Sequence, residues 1–342
     1  MSSAERRVVL VLGPGRSGTS TVAGLLAHSG FSVPDAVAPE ESNPVGFFEP
    51  AWVMNFHLDL LERAGVRTLD ADPEAPAAMA SVLQDDDVRG RLRAWLAESL
   101  DLHDRLVIKD PRLAWFHDLW VDVLRELGEE PGFVLMLRHP SEVASSRAEF
   151  YQSREVSAVA GWVNVALMTE RLTRGSARAL VHYPRLTTDW RTEAVRLREH
   201  LGLDLDPGPE VTPHPVDGFI DPTLRRREAG WGDSSVPPHL RDLADATFEA
   251  LGDVADHPDS GDHLARLDEL AHEYAAMHAA ALDLVRNHVM RDQRRAVEQA
   301  RQRVRKRLGA AGRQPVPSGA DEGRADRSAP RLTPSRQRGR SS

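Results

Sequence analysis

VVLVL at residues 8–12 runs directly into GPGRSGTS at residues 13–20 and then TVAGLL at residues 21–26. The apolar run predicts a buried strand, the glycines predict a tight turn, and the last segment predicts a helix that begins near Gly18. Such a turn directs several backbone N–H groups and the positive end of a helix dipole to one point. The sequence therefore predicts a receptacle for a phosphate or sulfate group.

The turn differs from the phosphate loop of nucleotide triphosphatases. That loop reads G-x-x-x-x-G-K-[ST], with the Lys on the terminal phosphates and the hydroxyl on Mg²⁺. Gly13 and Gly18 have this spacing, but Thr19 occupies the position of the Lys, and the cation is Arg16 inside the loop. We expect the chain to bind a phosphorylated nucleotide without the usual Lys–Mg²⁺ chemistry.

The loop resembles the phosphosulfate-binding loop of the sulfotransferases, which reads roughly [KR]-S-G-T-[ST]. The match is Arg16-Ser17-Gly18-Thr19-Ser20. These enzymes use 3'-phosphoadenosine-5'-phosphosulfate, abbreviated PAPS, as the sulfuryl donor and need no metal. The resemblance implies that the donor is bound by Gly15, Arg16, Ser17, Gly18, Thr19 and Ser20.

A second motif follows the apolar run at residues 133–137, which predicts another buried strand. The family places an Arg at such a strand end, a Pro shortly after it, and a Ser eight residues beyond the Arg. Arg138, Pro140 and Ser146 match this pattern. An Arg fork and a hydroxyl can share phosphate oxygens. The resemblance therefore implies that Arg138 and Ser146 bind the 3'-phosphate of the donor.

A third short strand, at residues 105–109, ends in Lys109, one of only two lysines in the chain. In the family, a Lys at this strand end commonly contacts the transferring sulfonate, and the resemblance gives Lys109 a catalytic role beside Arg16. Asp110 can instead be interpreted as a carboxylate that holds Mg²⁺. This is the main support for the alternative that the protein is a nucleotide-dependent kinase.

Two later segments resemble further donor contacts. Tyr183 stands where many family members have Tyr-Glu-x-Leu, which implies a contact with the adenine, although Pro184 replaces the acidic residue. The basic run at residues 225–227 resembles the late segment that clamps the 3'-phosphate. We take Arg226 as the representative candidate, since the sequence does not distinguish it from its two neighbours.

The sequence offers more than one candidate for the catalytic base. The phenol-directed family members use a His two residues after the Lys, a position that Pro111 occupies here. Glycan- and tyrosine-directed members use a Glu one helix and one loop after the phosphosulfate loop, and NPVGFFE at residues 43–49 resembles that region. Three carboxylates compete for the role: Glu40, Glu41 and Glu49. We favour Glu49 for its aromatic setting and place Glu41 next. As an alternative, Glu49 caps the helix that follows.

Composition limits the remaining possibilities. The 342 residues are 41% hydrophobic, which suits one sizeable α/β domain with a helical addition. The absence of Cys excludes disulfides, thiolate catalysis and Cys-based metal sites. No segment resembles a signal peptide or a transmembrane span, so we expect a cytoplasmic protein. The preference for Arg over Lys is typical of a high-GC bacterial genome.

The order of elements predicts a P-loop-like three-layer α/β fold with a central parallel sheet. The predicted strands are 7–12, 105–109, 133–137 and 178–183, with a further short strand near residues 31–33. The predicted helices are 19–29, 50–64, 87–101, 115–127, 141–150, 156–175 and 188–201. His57, on the second of these helices, is more typical of a structural residue than of a catalytic one. Residues 65–86 are interpreted as a loop over the site.

Beyond residue 260 the sequence changes in character. Apolar residues recur at spacings of three and four from Leu264, which predicts one long amphipathic helix. Residues 286–342 hold sixteen basic and five acidic residues, a net charge of +11, and because the whole chain carries −9, residues 1–285 carry −20. The predicted organisation is a sulfotransferase-like domain at residues 1–255, a basic helix at 260–309 and a disordered tail at 310–342.

The predicted activity is transfer of the sulfuryl group of PAPS to an acceptor hydroxyl, with a glycan or another sugar-containing molecule favoured as acceptor. Alternatives are a kinase that uses Mg²⁺ and Asp110, and a non-catalytic nucleotide-binding scaffold. The charge of the basic helix favours binding to a protein partner or an anionic surface. A solvated extension that binds no ligand agrees with the sequence equally well. Nothing in the sequence resembles a known nucleic-acid-binding module.

Overall fold

A computed structural model of the chain describes residues 7–38, 46–151, 154–209, 211–220, 229–258 and 260–311. The strands in this part are β1 (Val8–Leu12), β2 (Leu106–Lys109), β3 (Gly132–Leu137) and β4 (Arg178–His182). The helices are α1 (Thr19–His28), α2 (Ala51–Ala64), α3 (Ala75–Leu83), α4 (Asp86–Leu102), α5 (His117–Glu126), α6 (Pro140–Tyr151), α7 (Glu155–Leu172), α8 (Tyr183–Thr188), α9 (Trp190–Leu201), α10 (Pro238–Asp256) and α11 (Gly261–Ala311). Short 3-10 helices lie at Leu113–Phe116 and Pro215–Gly218.

The four strands form one parallel sheet in the order β2-β1-β3-β4. The register pairs Val11 with Lys109 and Leu12 with Leu135. The chain reverses its winding direction beside β1, so the crevice beyond the carboxyl ends of β1 and its neighbours is the place where ligands bind in folds of this kind. The predicted α/β fold with a central parallel sheet is confirmed.

Burial explains why the strands are almost continuously apolar. Val8, Leu10 and Leu12 face one core, in which Trp120 and Trp162 are the largest fully buried side chains. The alternate residues of β1 face a second core with α1 and α9. Helices therefore cover both faces of the sheet, and a strand buried on both faces has no polar side to show in its sequence.

Two of the local predictions before β2 were wrong. Residues 31–33 form no strand, and Ser32 makes only an isolated bridge to Leu106. The predicted loop at 65–86 contains α3, whose Met79 and Val82 are buried in the first core. Its alanines favour a helix, and a proline stands in its first turn, where a missing N–H costs nothing.

The predicted strand at 178–183 is one residue too long, because Tyr183 begins α8 with Pro184 in the first turn. Helix α10 was not predicted at all, since the Pro- and Asp-rich segment before it obscured its start. It contacts α7 and β4 and buries one apolar face, which includes Leu243 and Val254. Its packing makes it part of the first core.

The chain divides into two compact units, Met1–Leu282 and Asp283–Ser342. In the first unit, the beginning of α11 buries Leu267, Leu270 and Tyr274, and the Tyr274 hydroxyl donates to the Ala71 carbonyl at 2.5 Å. In the second unit, the side chains at residues 283–305 are exposed. The long C-terminal helix is thus present, while most of the predicted tail, residues 312–342, lies outside the described residues. The three-part domain division stays a prediction.

Among the helices that the structure describes, none is both long enough and apolar enough to cross a membrane.

The end of β4 makes stability sensitive to acid. His182 lies against Phe248 and Gly252 of α10, and burial, aided by the nearby Arg185 charge, lowers its pKa to about 4. The unfolded chain, with a histidine pKa of about 6.5, takes up the proton first as pH falls. The stability contributed by neutral His182 is therefore lost between about pH 6.5 and pH 4.

We expect the wild type to lose roughly 1–2 kcal/mol more unfolding free energy than His182→Gln between pH 7 and pH 4.5, a figure reduced for the partial exposure of the ring. Urea denaturation at both pH values measures the difference. Carboxylate titration affects both proteins alike, so it cancels in the comparison. Identical pH dependence in the two proteins would contradict the assignment to His182.

Candidate active site

The loop after β1 lies at the carboxyl edge of the sheet and leads into α1 at Thr19. Gly18 precedes the helix with φ of 92°, and a Cβ built on it would lie 2.2 Å from Cδ2 of Tyr183. No other residue type can adopt this backbone and tolerate that contact. The Tyr183 ring therefore packs directly against the loop, although 165 positions separate the two residues in sequence.

The predicted arginines and the serine of the second motif meet beside this loop. Arg16 has φ of 78°, in the left-handed region, and its Nε donates to Ser146 Oγ at 3.0 Å. Arg138 Nη1 donates to the Arg16 carbonyl at 3.2 Å. The Arg138 guanidinium also lies over the Tyr183 ring, 4.4 Å from its centre. Four of the predicted residues, from three segments of the sequence, thus form one connected group.

Arg138 is held by a neighbour that the sequence motif does not include. Its Nε donates to Glu142 Oε2 at 2.6 Å, one helical turn further along α6, and Glu142 is buried. This charge-assisted bond orients the guanidinium while leaving part of its fork for other contacts. Glu142 was missed because acidic residues in the first turn of a helix are common for dipole reasons alone.

The remaining loop residues lie between β1 and the first turn of α1. Ser17 is fully buried, and its Oγ has no hydrogen-bond partner among the described residues, which fits a contact with a ligand oxygen. Gly15 approaches Pro111, and Arg147 Nη1 would lie 3.7 Å from a Cβ built on Gly15. Arg147 is a cation beside the loop that sequence reasoning missed. Thr19 and Ser20 begin α1.

Glu49 is buried in a cluster of charges rather than placed at a helix cap. Lys109 Nζ donates to its Oε1, and Arg112 Nη2 lies 3.5 Å from its Oε2. Helix α2 starts after Pro50 and has no side-chain cap, so the alternative that Glu49 caps it is wrong. The carboxylate turns inward to the two cations because these neutralise its charge in the core.

The backbone before Glu49 produces this inward direction. Phe48 has φ of 52°, and its ring packs 5.4 Å from that of Phe219. The Glu49 carbonyl accepts from the Val37 N–H at 2.8 Å, which ties the segment to the chain ahead of it. Phe48 thus points to an aromatic cluster while the next side chain points to Lys109.

One oxygen of Asp110 is occupied by protein groups, whereas its buried Oδ2 has no hydrogen-bond partner among the described residues. Its Oδ1 accepts from the Arg112 backbone N–H at 2.7 Å and from Arg112 Nε at 3.0 Å, and His57 Nδ1 lies 3.2 Å from the same atom. These contacts hold the Asp110 carboxylate between Arg112 and His57. Among the described residues, no group of three or more His, Asp or Glu side chains is arranged to hold a metal ion.

Three candidates cannot be placed. Glu40, Glu41 and Arg226 lie outside the described residues. Arg112, in contrast, is a member of the Glu49 cluster that the sequence analysis gave no role. Its position three residues after Lys109, just beyond Pro111, was the sequence feature that could have indicated a place near Lys109.

Comparison with known proteins identifies the class. The sulfotransferase family model matches residues 9–207, which include β1 to β4 and the loop after β1. The chain belongs to the sulfotransferase family. No protein of curated function matches its sequence significantly.

Two solved structures are similar to the chain. The sulfotransferase domain of the Synechococcus PCC 7002 olefin synthase is 17% identical, with a TM-score of 0.40, and the match covers 74% of this chain and 96% of that domain. The sulfotransferase domain from the curacin biosynthetic pathway is 14% identical, with a TM-score of 0.40, covering 73% of this chain and 99% of that domain.

Proposed function

We propose that the protein transfers the sulfuryl group of PAPS to an acceptor hydroxyl, and that the acceptor is a glycan or another sugar-containing molecule. The observation that supports the donor is the meeting of Arg16, Arg138, Ser146 and Tyr183 around the loop after β1. Two guanidinium groups, a hydroxyl and an aromatic ring at a helix N-terminus suit a nucleotide with two separate phosphate-type groups.

In this proposal each group has a defined part of the donor to bind. The loop from Gly15 to Ser20 holds the phosphosulfate through backbone N–H groups and hydroxyls. Arg138 and Ser146 hold the 3'-phosphate, and Tyr183 contacts the adenine. Arg226 remains a proposed second contact to the 3'-phosphate. No metal is required, because these cations and N–H groups supply the positive charge.

The reaction exchanges one bond to sulfur for another. A bond forms between the acceptor oxygen and sulfur, while the bond between sulfur and the bridging oxygen of the phosphosulfate breaks. Adenosine 3',5'-bisphosphate leaves with the electron pair of that bond. Glu49 takes the acceptor's proton. Arg16 and Lys109 face the charge that grows on the bridging and sulfuryl oxygens.

Calorimetry with adenosine 3',5'-bisphosphate in EDTA tests the donor assignment. A sulfotransferase should bind this nucleotide without metal. A kinase should instead require ATP with Mg²⁺, and a scaffold without a nucleotide site should bind neither. Either of these last two results would overturn the proposal.

A sugar hydroxyl is favoured as acceptor because a Glu in this position resembles the base of the carbohydrate-directed family members. Transfer from radiolabelled PAPS to a panel of oligosaccharides, phenols and aliphatic alcohols tests it. Exclusive labelling of phenols would contradict the choice. The cytoplasmic location and a protein or anionic-surface partner for residues 286–342 stay predictions.

Lys109→Ala should separate catalysis from binding. If Lys109 stabilises charge that develops in the transition state, the variant should lose kcat on the order of 100-fold and bind adenosine 3',5'-bisphosphate nearly as well as the wild type. Arg16→Ala should behave in the same direction. Steady-state kinetics and calorimetry measure the two quantities. An unchanged kcat in Lys109→Ala would remove that residue from the mechanism.

A further inference from the structure

Glu49 has two cationic partners, and they contact different carboxylate oxygens. Lys109 donates to Oε1, and Arg112 Nη2 lies 3.5 Å from Oε2. All three side chains are less than one-tenth exposed. Since a buried carboxylate without a cation prefers the protonated form, the partner that stays with Glu49 during turnover decides whether it can accept a proton.

Of the two cations, Lys109 is the one that the proposed function also assigns to the donor. It ends β2 beside Val11, just before the loop that follows β1. In the proposed function its ammonium serves the sulfuryl group of the donor. An ammonium on a flexible four-carbon stem can turn from Glu49 to a new anion.

Arg112 cannot leave in this way, because it is held at a second point. Its Nε and its backbone N–H both donate to Asp110 Oδ1, at 3.0 and 2.7 Å. Asp110 is itself 1% exposed. The planar guanidinium therefore bridges one fixed carboxylate to Glu49.

His57, which also contacts Asp110, affects the net charge of the cluster around Glu49. His57 Nε2 accepts from Trp120 Nε1 at 2.9 Å, so its hydrogen is on Nδ1, which faces Asp110 at 3.2 Å. Burial lowers the pKa of His57 despite the nearby Asp110, which disfavours a positive charge on the ring. The two carboxylates Glu49 and Asp110 are then balanced by Lys109 and Arg112. Withdrawal of Lys109 leaves two negative charges against one positive charge.

We propose that Arg112 is a positioning residue that keeps Glu49 ionised and oriented when the donor's sulfuryl group engages Lys109. This inference rests on the proposed function and deepens it. The ability of Glu49 to accept a proton then depends on the bridge from Asp110 through Arg112, and not on the ion pair with Lys109 that the free protein shows.

Proton uptake on donor binding tests the role without an acceptor. Titration of the full chain with PAPS near pH 6, in two buffers of different ionisation enthalpy, gives the number of protons bound. Because the phosphate groups of the nucleotide also titrate near pH 6, the wild type with the same ligand gives the baseline. Arg112→Met should take up about half a proton per site or more above this baseline, because its Glu49 then has no cation. Adenosine 3',5'-bisphosphate, which lacks the sulfuryl group, should give the same proton count in both proteins.

Further variants identify the source of the proton. Glu49→Gln/Arg112→Met should abolish the excess uptake, and Arg112→Lys should restore values near the wild type. Arg112→Gln, which keeps a donor for Asp110, provides the same measurement if Arg112→Met does not fold. Arg178→Gln is the matched control, since it removes a buried arginine beside Glu170 at the amino end of β4.

Three outcomes would overturn the role: no uptake above the baseline in the Arg112 variants, excess uptake that persists without Glu49, or equal excess uptake with the nucleotide that lacks the sulfuryl group. A wild type that binds neither nucleotide in EDTA would instead refute the proposed function itself. The two failures are therefore distinguishable.

Discussion

Glu49→Gln is expected to lower turnover by about 10²–10⁴-fold, the usual contribution of a general base. The affinity for adenosine 3',5'-bisphosphate should change little, because Glu49 contacts Lys109 and Arg112 rather than the Arg138 group. The acidic limb of the kcat/KM profile against pH should disappear with the carboxylate. Transfer assays across pH and calorimetry of the nucleotide measure these quantities.

The substitution also removes a buried charge from between two cations, so we expect some loss of stability as well. Glu170→Gln is the matched control. Glu170 is fully buried and paired with Arg174 and Arg178, away from the carboxyl edge of the sheet. It should lose stability without a comparable loss of turnover. Similar losses of turnover in both variants would attribute the effect of Glu49→Gln to folding.

Glu41→Gln is the necessary parallel experiment, because Glu41 lies outside the described residues and the same loop carries it. Near-normal turnover in Glu49→Gln together with a collapse in Glu41→Gln would transfer the role of base to Glu41. The family and the donor site would be unaffected by that result.

Arg138→Ala should weaken the binding of adenosine 3',5'-bisphosphate by about 2–5 kcal/mol, the usual cost of breaking a buried charge-assisted pair. This corresponds to roughly 30- to 5,000-fold in Kd. Adenosine 5'-phosphosulfate lacks the 3'-phosphate and should lose much less affinity. Calorimetry with both ligands measures the difference, and equal losses would contradict the contact with the 3'-phosphate.

Arg138→Ala removes one guanidinium contact from the buried Glu142, so stability and binding must be separated. Arg138→Ala/Glu142→Gln also removes the buried carboxylate charge and should keep the loss of nucleotide affinity. Arg174→Ala is the matched control, because it also removes an arginine paired with a buried glutamate, here Glu170. This variant should bind the nucleotide normally.

The structure brought together several residues whose proximity could only be expected by analogy. Arg16, Arg138, Ser146 and Tyr183 were predicted from their resemblance to motifs of the sulfotransferase family, and parallel strands place such strand ends at one edge. Their particular contacts, such as the guanidinium over the Tyr183 ring, depend on side-chain directions that no local pattern records. Glu142 was missed for the same reason.

The prediction of helices and strands from the sequence has a similar limit. Apolar runs such as residues 8–12 predicted β1 correctly, because a strand buried on both faces has a continuous apolar sequence. Helix α3 was missed because its short, alanine-rich sequence between acidic residues has little periodicity. Its burial against the first core stabilises it as a helix.

The sequence by itself determined the family, the parallel α/β fold and the glycine-rich loop after β1, because motifs, glycine turns and buried strands are specified locally. Only the tertiary structure decided which groups the Glu49 side chain contacts at the end of its loop. Sequence allowed it to be a base or a helix cap, and the buried cluster with Lys109 and Arg112 excluded the cap. The reason is physical: a buried carboxylate takes its orientation from the opposite charges it meets, and those charges come from residues about 60 positions away.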